Sequence, residues 1–208
     1  MSNLFKTNQD NKNKEMHKMT RFNLLFIATA LTLVLQAGAQ TLQNPSFEQE
    51  GVGMDQAESW ERWGNWINRE TEWTPVRDGN CLIGYHHWKI ESSDSSGLYQ
   101  DIQNAEPNKE YTFKVYAMRD DPYNADECSP ASIEVRLEST VNGQQVTVGK
   151  KTYEYNDIST TLSGTWTPLR VSGTPREDTL RVVLIIEPCK EGKRGGTLKF
   201  DDAALICE

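Results

Sequence analysis

The chain has 208 residues, with 22 lysines and arginines against 30 aspartates and glutamates, and a formal net charge of −8. Residues 1–39 hold five of the basic and two of the acidic side chains, so residues 40–208 carry a net charge of −11. This acidic balance argues against a nucleic-acid partner and against an anionic membrane surface. It is compatible with neutral sugars or bound cations as ligands.

The N-terminal region has the layout of a secretory signal peptide. Lys18 and Arg21 precede an apolar or small-residue run over residues 24–35, and Ala37, Gly38 and Ala39 follow as a small-residue cleavage pattern. The run is shorter than the ~20 apolar residues that a membrane-spanning helix needs. We predict cleavage after Ala39, no transmembrane anchor, and a secreted, periplasmic or cell-surface location. Met19 would start a signal of conventional length, and residues 40–208 are predicted to form one domain.

All four cysteines lie in the predicted exported part. An even number in an oxidising compartment predicts two disulfides, for which three connectivities are possible. Cys128 and Cys189 lie in loop-like sequence and are the favoured first pair. Cys81 and Cys207 lie in strand-like sequence and would form the second.

Strand patterns dominate from residue 41 onward. Residues 109–119 alternate, with Tyr111, Phe113, Val115 and Ala117 on one side. Asn142 and Gly143 predict a tight hairpin turn. No stretch after the signal shows a sustained helical period. Further strands are predicted over residues 132–139, 145–155, 164–172, 179–187 and 197–206. Turn clusters at regular spacing then predict an all-β, antiparallel two-sheet β-sandwich of jelly-roll type.

An ordered set of short motifs resembles the CenC-like carbohydrate-binding modules, which have the galactose-binding-domain-like jelly roll. The resemblance covers nearly the whole of residues 40–208, although each motif is individually weak. It implies a non-catalytic module that binds poly- or oligosaccharide. The motifs are Asn44-Pro45-Ser46-Phe47-Glu48, Ser59-Trp60, Asp78-Gly79-Asn80-Cys81-Leu82, Leu98-Tyr99-Gln100-Asp101-Ile102, residues 107–113, Thr165-Trp166-Thr167-Pro168 and Phe200-Asp201-Asp202.

The resemblance also implies a structural calcium ion that ties the first strand to the last. The matching ligands are the carbonyl of Ser46, the carboxylates of Glu48 and Asp201, and a carbonyl near Asn80. Calcium takes six to eight oxygen ligands of these kinds, and it would relieve the repulsion between two neighbouring carboxylates. The alternative is that Asp201 and Asp202 are charged residues of a solvent-exposed edge strand.

Tryptophans between residues 60 and 88 are the candidate sugar platforms. Trp60 and Trp166 match fold positions of the resembled family and are expected in the core. Trp63 and Trp66 stand among polar residues, and Trp88 ends a strand-like run, so these three are predicted to stack on sugar rings.

A second candidate surface follows from the alternation of the strand at residues 109–119. Tyr116 lies opposite the predicted core side, with Lys114 and Arg136 expected on the same sheet face and Arg119 at the strand end. These residues form either an ordinary solvated face or the floor of a binding groove. Gln100 shares the parity of Leu98 and Ile102 and is expected to point into the core.

Two other functional classes remain open. A polysaccharide lyase or glycosidase needs a base and a partner group converging on one sugar, and the candidates are Tyr85, His86, His87 and Arg119. His86 and His87 are adjacent, so a regular strand would direct them to opposite faces. The other class is an exported adhesion domain that binds another exported protein.

Overall fold

The computed structural model describes residues 42–53, 55–64, 66–86, 94–119, 130–189 and 197–208. The predicted signal peptide lies outside these ranges and stays a prediction. Among the described residues, the structure contains no helix of the length and hydrophobicity needed to cross a membrane.

Short strands account for most of the described chain. The strands are β1 Glu61–Trp63, β2 Trp66–Glu70, β3 Leu82–His86, β4 Ser96–Gln103, β5 Tyr111–Arg119, β6 Ser132–Val141, β7 Gln144–Glu154, β8 Thr167–Gly173, β9 Thr179–Glu187 and β10 Thr197–Cys207. A single short helix among the described residues, α1, spans Tyr155–Thr160 between β7 and β8.

The described strands form two five-stranded antiparallel sheets. The first sheet has the order β1-β4-β9-β6-β7, and the second has the order β2-β3-β10-β5-β8. Apart from the consecutive pairs β2–β3 and β6–β7, neighbouring strands in each sheet are not consecutive in the sequence, as expected for a jelly roll. The predicted fold class, an antiparallel β-sandwich, is confirmed.

The core lies between the sheets and follows the predicted alternation. Phe113 and Val115 of β5 and Val135 and Leu137 of β6 belong to one core cluster, and all four are at most 2 % exposed. Each such side chain stabilises the fold by about 1.5–3 kcal/mol when fully buried. Gln100 also points inward as predicted, and its side chain exchanges hydrogen bonds with the backbone of Gln43 at 2.7 and 2.9 Å.

The sequence predicted the hairpin turn at Asn142 and Gly143 correctly but did not predict helix α1. Asn142 and Gly143 both have positive φ angles, 51° and 75°, as the tight turn between β6 and β7 requires. Helix α1 was not predicted because six residues are too few to establish a helical period. Its first turn is stabilised by a reciprocal capping arrangement between Glu154 and Asp157.

The first described segment docks against the last strand. The Ala203 amide donates to the Pro45 carbonyl at 2.9 Å, where β10 carries a bulge between Asp201 and Ala204. Asp202 occupies the bulge with a φ of 48°, a left-handed conformation that aspartate tolerates better than most residues. The contact joins the two segments that the resemblance implies to be tied together at the start and the end of the domain.

Two carboxylates, the buried Asp201 and the half-buried Glu48, hold the loop of residues 77–81 next to the contact between Pro45 and Ala203. Asp201 is fully buried, and its Oδ2 accepts the Arg77 and Asp78 amides at 2.8 and 3.0 Å. Glu48 Oε1 accepts the Asn80 and Cys81 amides, both at 2.8 Å. The loop therefore depends on acceptors from both ends of the domain.

The predicted disulfide between Cys81 and Cys207 is wrong, because both residues carry free thiols. Cys81 precedes β3, whose Ile83 pairs with Phe200 of β10, so Cys81 lies beside residue 202. Cys207 is five residues further along β10, on the order of 16 Å away, whereas a disulfide needs Cα atoms within about 7 Å. Cys128 lies outside the described residues, and its pairing with Cys189 stays a prediction.

The loop contacts predict the effect of Asp201→Asn. The substitution replaces one carboxylate oxygen by an NH2 group, which cannot accept a hydrogen bond from the Arg77 or Asp78 amide. Because buried donors then lack an acceptor, the free energy of unfolding should fall by about 1–3 kcal/mol. Urea denaturation in chelator-containing buffer measures the loss. The matched control is Asp202→Asn, which keeps the left-handed backbone and removes only a half-exposed ion pair with Arg77, worth under about 1 kcal/mol. Equal stability of the two variants would contradict this account.

Candidate functional site

The outward-facing residues of the first sheet form three rows across its strands, and we call this surface the ladder face. It extends from the edge strand β1 to the edge strand β7. Four spacings of ~4.8 Å separate these two strands, which makes the face about 19 Å wide. The rows are Asp101, Arg181, Glu138 and Thr147; Glu61, Tyr99, Val183, Arg136 and Lys150; and Trp63, Gly97, Ile185, Glu134 and Thr152.

An aromatic pair stands at the β1 end of the ladder face. The ring centroids of Trp63 and Tyr99 are 6.2 Å apart, with the planes inclined at 46°. Trp63 lies directly over Gly97, where a Cβ atom would overlap the indole. Glycine at this position therefore allows the indole to lie close against the sheet, with both aromatic residues half-buried.

Arg181 connects the aromatic pair to the charged residues. Its guanidinium donates two hydrogen bonds to Asp101, at 2.6 and 2.8 Å, and lies 4.1 Å from the centroid of the Tyr99 ring. The hydrogen bonds to Asp101 are the main reason why the pKa of Arg181 is raised above its ordinary value. The Arg181 guanidinium therefore stays charged and packs against one face of the Tyr99 ring.

A second charged group occupies the middle strands. Arg136 donates to Glu134 at 2.6 Å and to Glu138 at 2.9 Å, and Lys150 contacts Glu134 at 3.1 Å. Burial alone would raise the pKa of Glu134, but the hydrogen bonds and charges of Arg136 and Lys150 outweigh it and lower the pKa. Glu134 is therefore stabilised as a carboxylate, and its bonds to Arg136 and Lys150 hold it in a defined position.

A small pocket lies beyond the far end of the Trp63 row. It has a volume of about 190 Å³, is lined by Thr152, and has Leu162 and Leu169 among its other lining residues.

The predicted stacking residues do not share one surface. Trp63 lies on the ladder face, whereas Trp66 lies on β2, the edge strand of the second sheet, and is 43 % exposed. Trp88 lies outside the described residues. The short spacing of Trp63 and Trp66 in the sequence conceals a change of sheet between them.

The predicted surface around Tyr116 is not an open groove. The Arg77 guanidinium lies 3.5 Å from the centroid of the Tyr116 ring, and Lys114 Nζ lies 4.8 Å from it, so the loop covers the ring. Arg119 has the inward parity of β5 and is 8 % exposed, away from Tyr116. The expectation that Arg136 shares this face is wrong, because β6 belongs to the first sheet.

The candidate catalytic residues also fail to converge on a surface. Tyr85 is fully buried in the core, where burial raises the pKa of its hydroxyl. Arg119 is buried at the end of β5, and His87 lies outside the described residues. His86, at the end of β3, is half-buried. Among the described candidates, Tyr85 and Arg119 are thus too buried to act as the exposed base or partner group that a lyase or glycosidase requires.

Of the two tryptophans expected in the core, Trp60 is buried there and Trp166 is not. Trp60 is 2 % exposed, lies 5.2 Å from Phe47 between ring centroids, and donates to the Asn44 carbonyl at 3.0 Å, as predicted. Trp166 is only half-buried and lies outside the main core cluster. It precedes β8, an edge strand of the second sheet, which leaves one side of the residue without a covering strand.

The residues predicted to bind calcium are chemically suited to it. Glu48 and Asp201 contact the same five-residue loop, and carboxylate and carbonyl oxygens are the ligands that calcium prefers. Burial, together with the charge of Asp202, raises the pKa of Asp201 despite three backbone hydrogen bonds. Within the described ranges, no basic side chain is bonded to Asp201, and no group of three or more His, Cys, Asp or Glu converges as a metal site. The fit therefore rests on two carboxylates supplemented by carbonyl groups.

Sequence reasoning missed most of the ladder face. Tyr99, Asp101 and Arg181 were not selected as ligand-binding residues, and Arg136 was assigned to the Tyr116 face, because their strands were not yet assigned to one sheet. The available signal was parity: Tyr99 and Asp101 alternate with Leu98, Gln100 and Ile102, whose side chains point inward.

The lowered pKa of Glu134 predicts a pH-dependent contribution to stability. Because the folded-state pKa lies below the ordinary value of 4.5, the contribution is present above that value and is lost as the pH falls through the folded-state pKa. Glu134→Gln should therefore lower the melting temperature at neutral pH and have a much smaller effect near about pH 3. Glu110→Gln, at an exposed acid before β5, controls for the loss of one negative charge. A Glu134→Gln deficit of equal size at both pH values would refute the assignment.

Solved structures share this fold at low sequence identity. TmCBM61, solved in complex with β-1,4-galactotriose, is 16 % identical and has a TM-score of 0.51, over 82 % of this chain and 100 % of that one. A putative sugar binding protein from Bacteroides thetaiotaomicron is 13 % identical with a TM-score of 0.54, over 82 % and 100 %. Arabinose-bound MgGH51 α-L-arabinofuranosidase is 15 % identical with a TM-score of 0.57, over 81 % of this chain. The chain spans only 26 % of the arabinofuranosidase.

Sequence comparison identifies the family. A search of curated protein sequences finds no match to the chain. The carbohydrate binding domain model CBM_4_9 matches residues 39–191, which is most of the chain and includes all strands from β1 to β9. The resemblance to carbohydrate-binding modules drawn from the short motifs is thereby confirmed. The chain belongs to the CBM_4_9 family of carbohydrate binding domains.

Proposed function

We propose that this protein is an exported, non-catalytic module that binds a poly- or oligosaccharide along the ladder face. The observation that carries the proposal is the Trp63–Tyr99 pair, which stands at the start of a row of fixed polar groups. Membership of a carbohydrate-binding family supports sugar as the ligand class. The export signal of residues 18–39 supports a location outside the cytoplasm.

Each part of the ladder face has a role in this proposal. The indole of Trp63 offers its outer side to the apolar C–H face of a sugar ring, because Gly97 lets the inner side lie on the sheet. Tyr99 provides a second ring, held by Arg181. Asp101, Glu138 and Arg136 then donate to or accept from the hydroxyl groups of further sugar units, from positions that their ion pairs fix in advance.

The hydrogen bonds of the Glu134 and Asp101 carboxylates support binding rather than catalysis. A glycosidase needs one carboxylic acid that can donate a proton, and such acids have raised pKa values. Glu134 has a lowered pKa, and Asp101 is bound by both guanidinium donors of Arg181. Both carboxylates therefore serve as hydrogen-bond acceptors.

Substitution of the aromatic pair tests the sugar site. Trp63→Ala should weaken binding to the best ligand among soluble β-glucans, xylans and mannans by about tenfold or more, equivalent to about 1.4 kcal/mol or more of binding free energy. Gly97→Ala should also weaken binding, because the added methyl group displaces the indole without removing a polar group. Affinity gel electrophoresis and tryptophan fluorescence measure the change.

Tyr116→Ala is the matched control for this experiment. It removes an aromatic ring of the second sheet that Arg77 already covers, so sugar affinity should stay unchanged. A glycan array without signal for the wild-type protein would overturn the proposed function. Loss of binding in Tyr116→Ala with retention in Trp63→Ala would place the site on the other sheet.

We also propose that a structural calcium ion binds at Ser46, Glu48, Asn80 and Asp201. The carboxylates would supply charge, and the carbonyls of Ser46 and a residue near Asn80 would complete the oxygen set. Because calcium stabilises only the folded state, a chelator should lower the melting temperature of the wild-type protein. Glu48→Ala or Asp201→Ala should abolish that response, as differential scanning calorimetry with and without calcium will report. An unchanged wild-type melting curve would exclude the ion.

A further inference from the structure

We infer that Trp66 forms a second carbohydrate-binding platform, on the edge of the second sheet and separate from the ladder face. This inference rests on the proposed function, because it assigns sugar as the ligand of both surfaces. We call the surface formed by Trp66, Glu70 and Trp73 the edge platform.

The first argument is the exposure of Trp66. Its side chain is 43 % exposed, which makes it one of a few large hydrophobic side chains among the described residues that remain open to solvent. The other aromatic one is Tyr155, at 48 % in helix α1. Burial is the usual state of tryptophan, so an open indole on a sheet edge is available for a ligand.

The second argument is that the indole is held in place. Trp66 and Glu70 are four residues apart on β2 and therefore point to the same side of the strand. The Trp66 Nε1–H group donates to Glu70 Oε1 at 2.8 Å. This bond fixes the orientation of the ring before any ligand arrives, which lowers the entropy cost of stacking.

The third argument is the arrangement around the indole. Gly84, on the neighbouring strand β3, leaves room for both the Glu70 side chain and the Trp73 ring, since a Cβ atom there would meet Glu70 Cγ at 2.7 Å and Trp73 Cε3 at 2.8 Å. Two aromatic residues thus flank one carboxylate. Asp55 and Glu72 lie near enough to affect its ionisation. Rings with adjacent acceptors are the groups that bind the apolar face and the hydroxyls of a sugar.

The edge platform is physically separate from the ladder face. The outer faces of two packed sheets point away from each other, and Trp63 and Trp66 belong to edge strands of different sheets. Arg62 spans the two edges by donating to the Ile67 carbonyl at 3.1 Å. A sugar stacked on Trp66 therefore occupies a different surface from one stacked on Trp63, and the protein can bind two glycan chains.

Isothermal titration with β-glucan, xylan or mannan oligosaccharides tests this inference. The wild-type protein should bind two oligosaccharide molecules, Trp63→Ala and Trp66→Ala one each, and the double variant none. Glu70→Ala, which frees the indole, should weaken the Trp66 site, whereas Glu70→Gln, which keeps an acceptor for Nε1–H, should weaken it less. Tyr155→Ala is the matched control for removal of an exposed aromatic residue and should retain both sites.

The outcomes separate this inference from the proposed function. If the wild type binds one molecule, and Trp63→Ala abolishes binding while Trp66→Ala does not, the edge platform is refuted and the ladder face stands. If the wild type binds no oligosaccharide, both proposals fail. If Trp66→Ala changes only the oligomeric state in size-exclusion chromatography, the exposed indole is a protein contact and the inference is overturned. Unchanged circular dichroism spectra verify that each variant folds.

Discussion

The outer face of the second sheet depends on the hydrogen bonds between Asp201 and the loop of residues 77–81. A fully buried carboxylate on the outward side of a strand is costly unless donors surround it, and the Arg77 and Asp78 amides supply them. With the loop held there, Arg77 covers Tyr116. Three residues earlier in the chain, the Thr74 carbonyl accepts a hydrogen bond from the buried Lys199. The ring of Tyr116 in the middle of the second sheet is therefore covered, whereas the indole of Trp66 at its edge stays open to solvent.

The first sheet has the opposite character, because its outer face is covered by its own ion pairs. Asp101 and Arg181 bond across neighbouring strands, and Arg136 bonds to Glu134 and Glu138 along β6. Partly exposed pairs of this kind add little to stability. Their consequence is positional, since long side chains that are bonded to each other present fixed donors and acceptors beside Trp63 and Tyr99. The ladder face is thereby suited to a polar ligand with an apolar side, such as a sugar.

Sequence reasoning succeeded where a local pattern carries the information. Alternation located the strands around Val115 and Val135, the Asn142–Gly143 pair located a hairpin, and the parity of Leu98 located Gln100 in the core. It failed where the answer depended on which strands are neighbours. Tyr116 and Arg136 were assigned to one face although they lie in different sheets, and Cys81 and Cys207 were paired although their strand positions are far apart.

By itself, the sequence determined the jelly-roll fold, the pairing of the first and last segments, and the family, because period-two alternation and short motifs are properties of consecutive residues. Only the tertiary structure decided which aromatic residues share a surface. Trp63 and Trp66 are three positions apart, yet the chain passes from one sheet to the other between them. Tyr99 reaches Trp63 from a strand that is distant in sequence, through cross-strand register. Such register is set by the packing of the whole sandwich, and no local pattern encodes it.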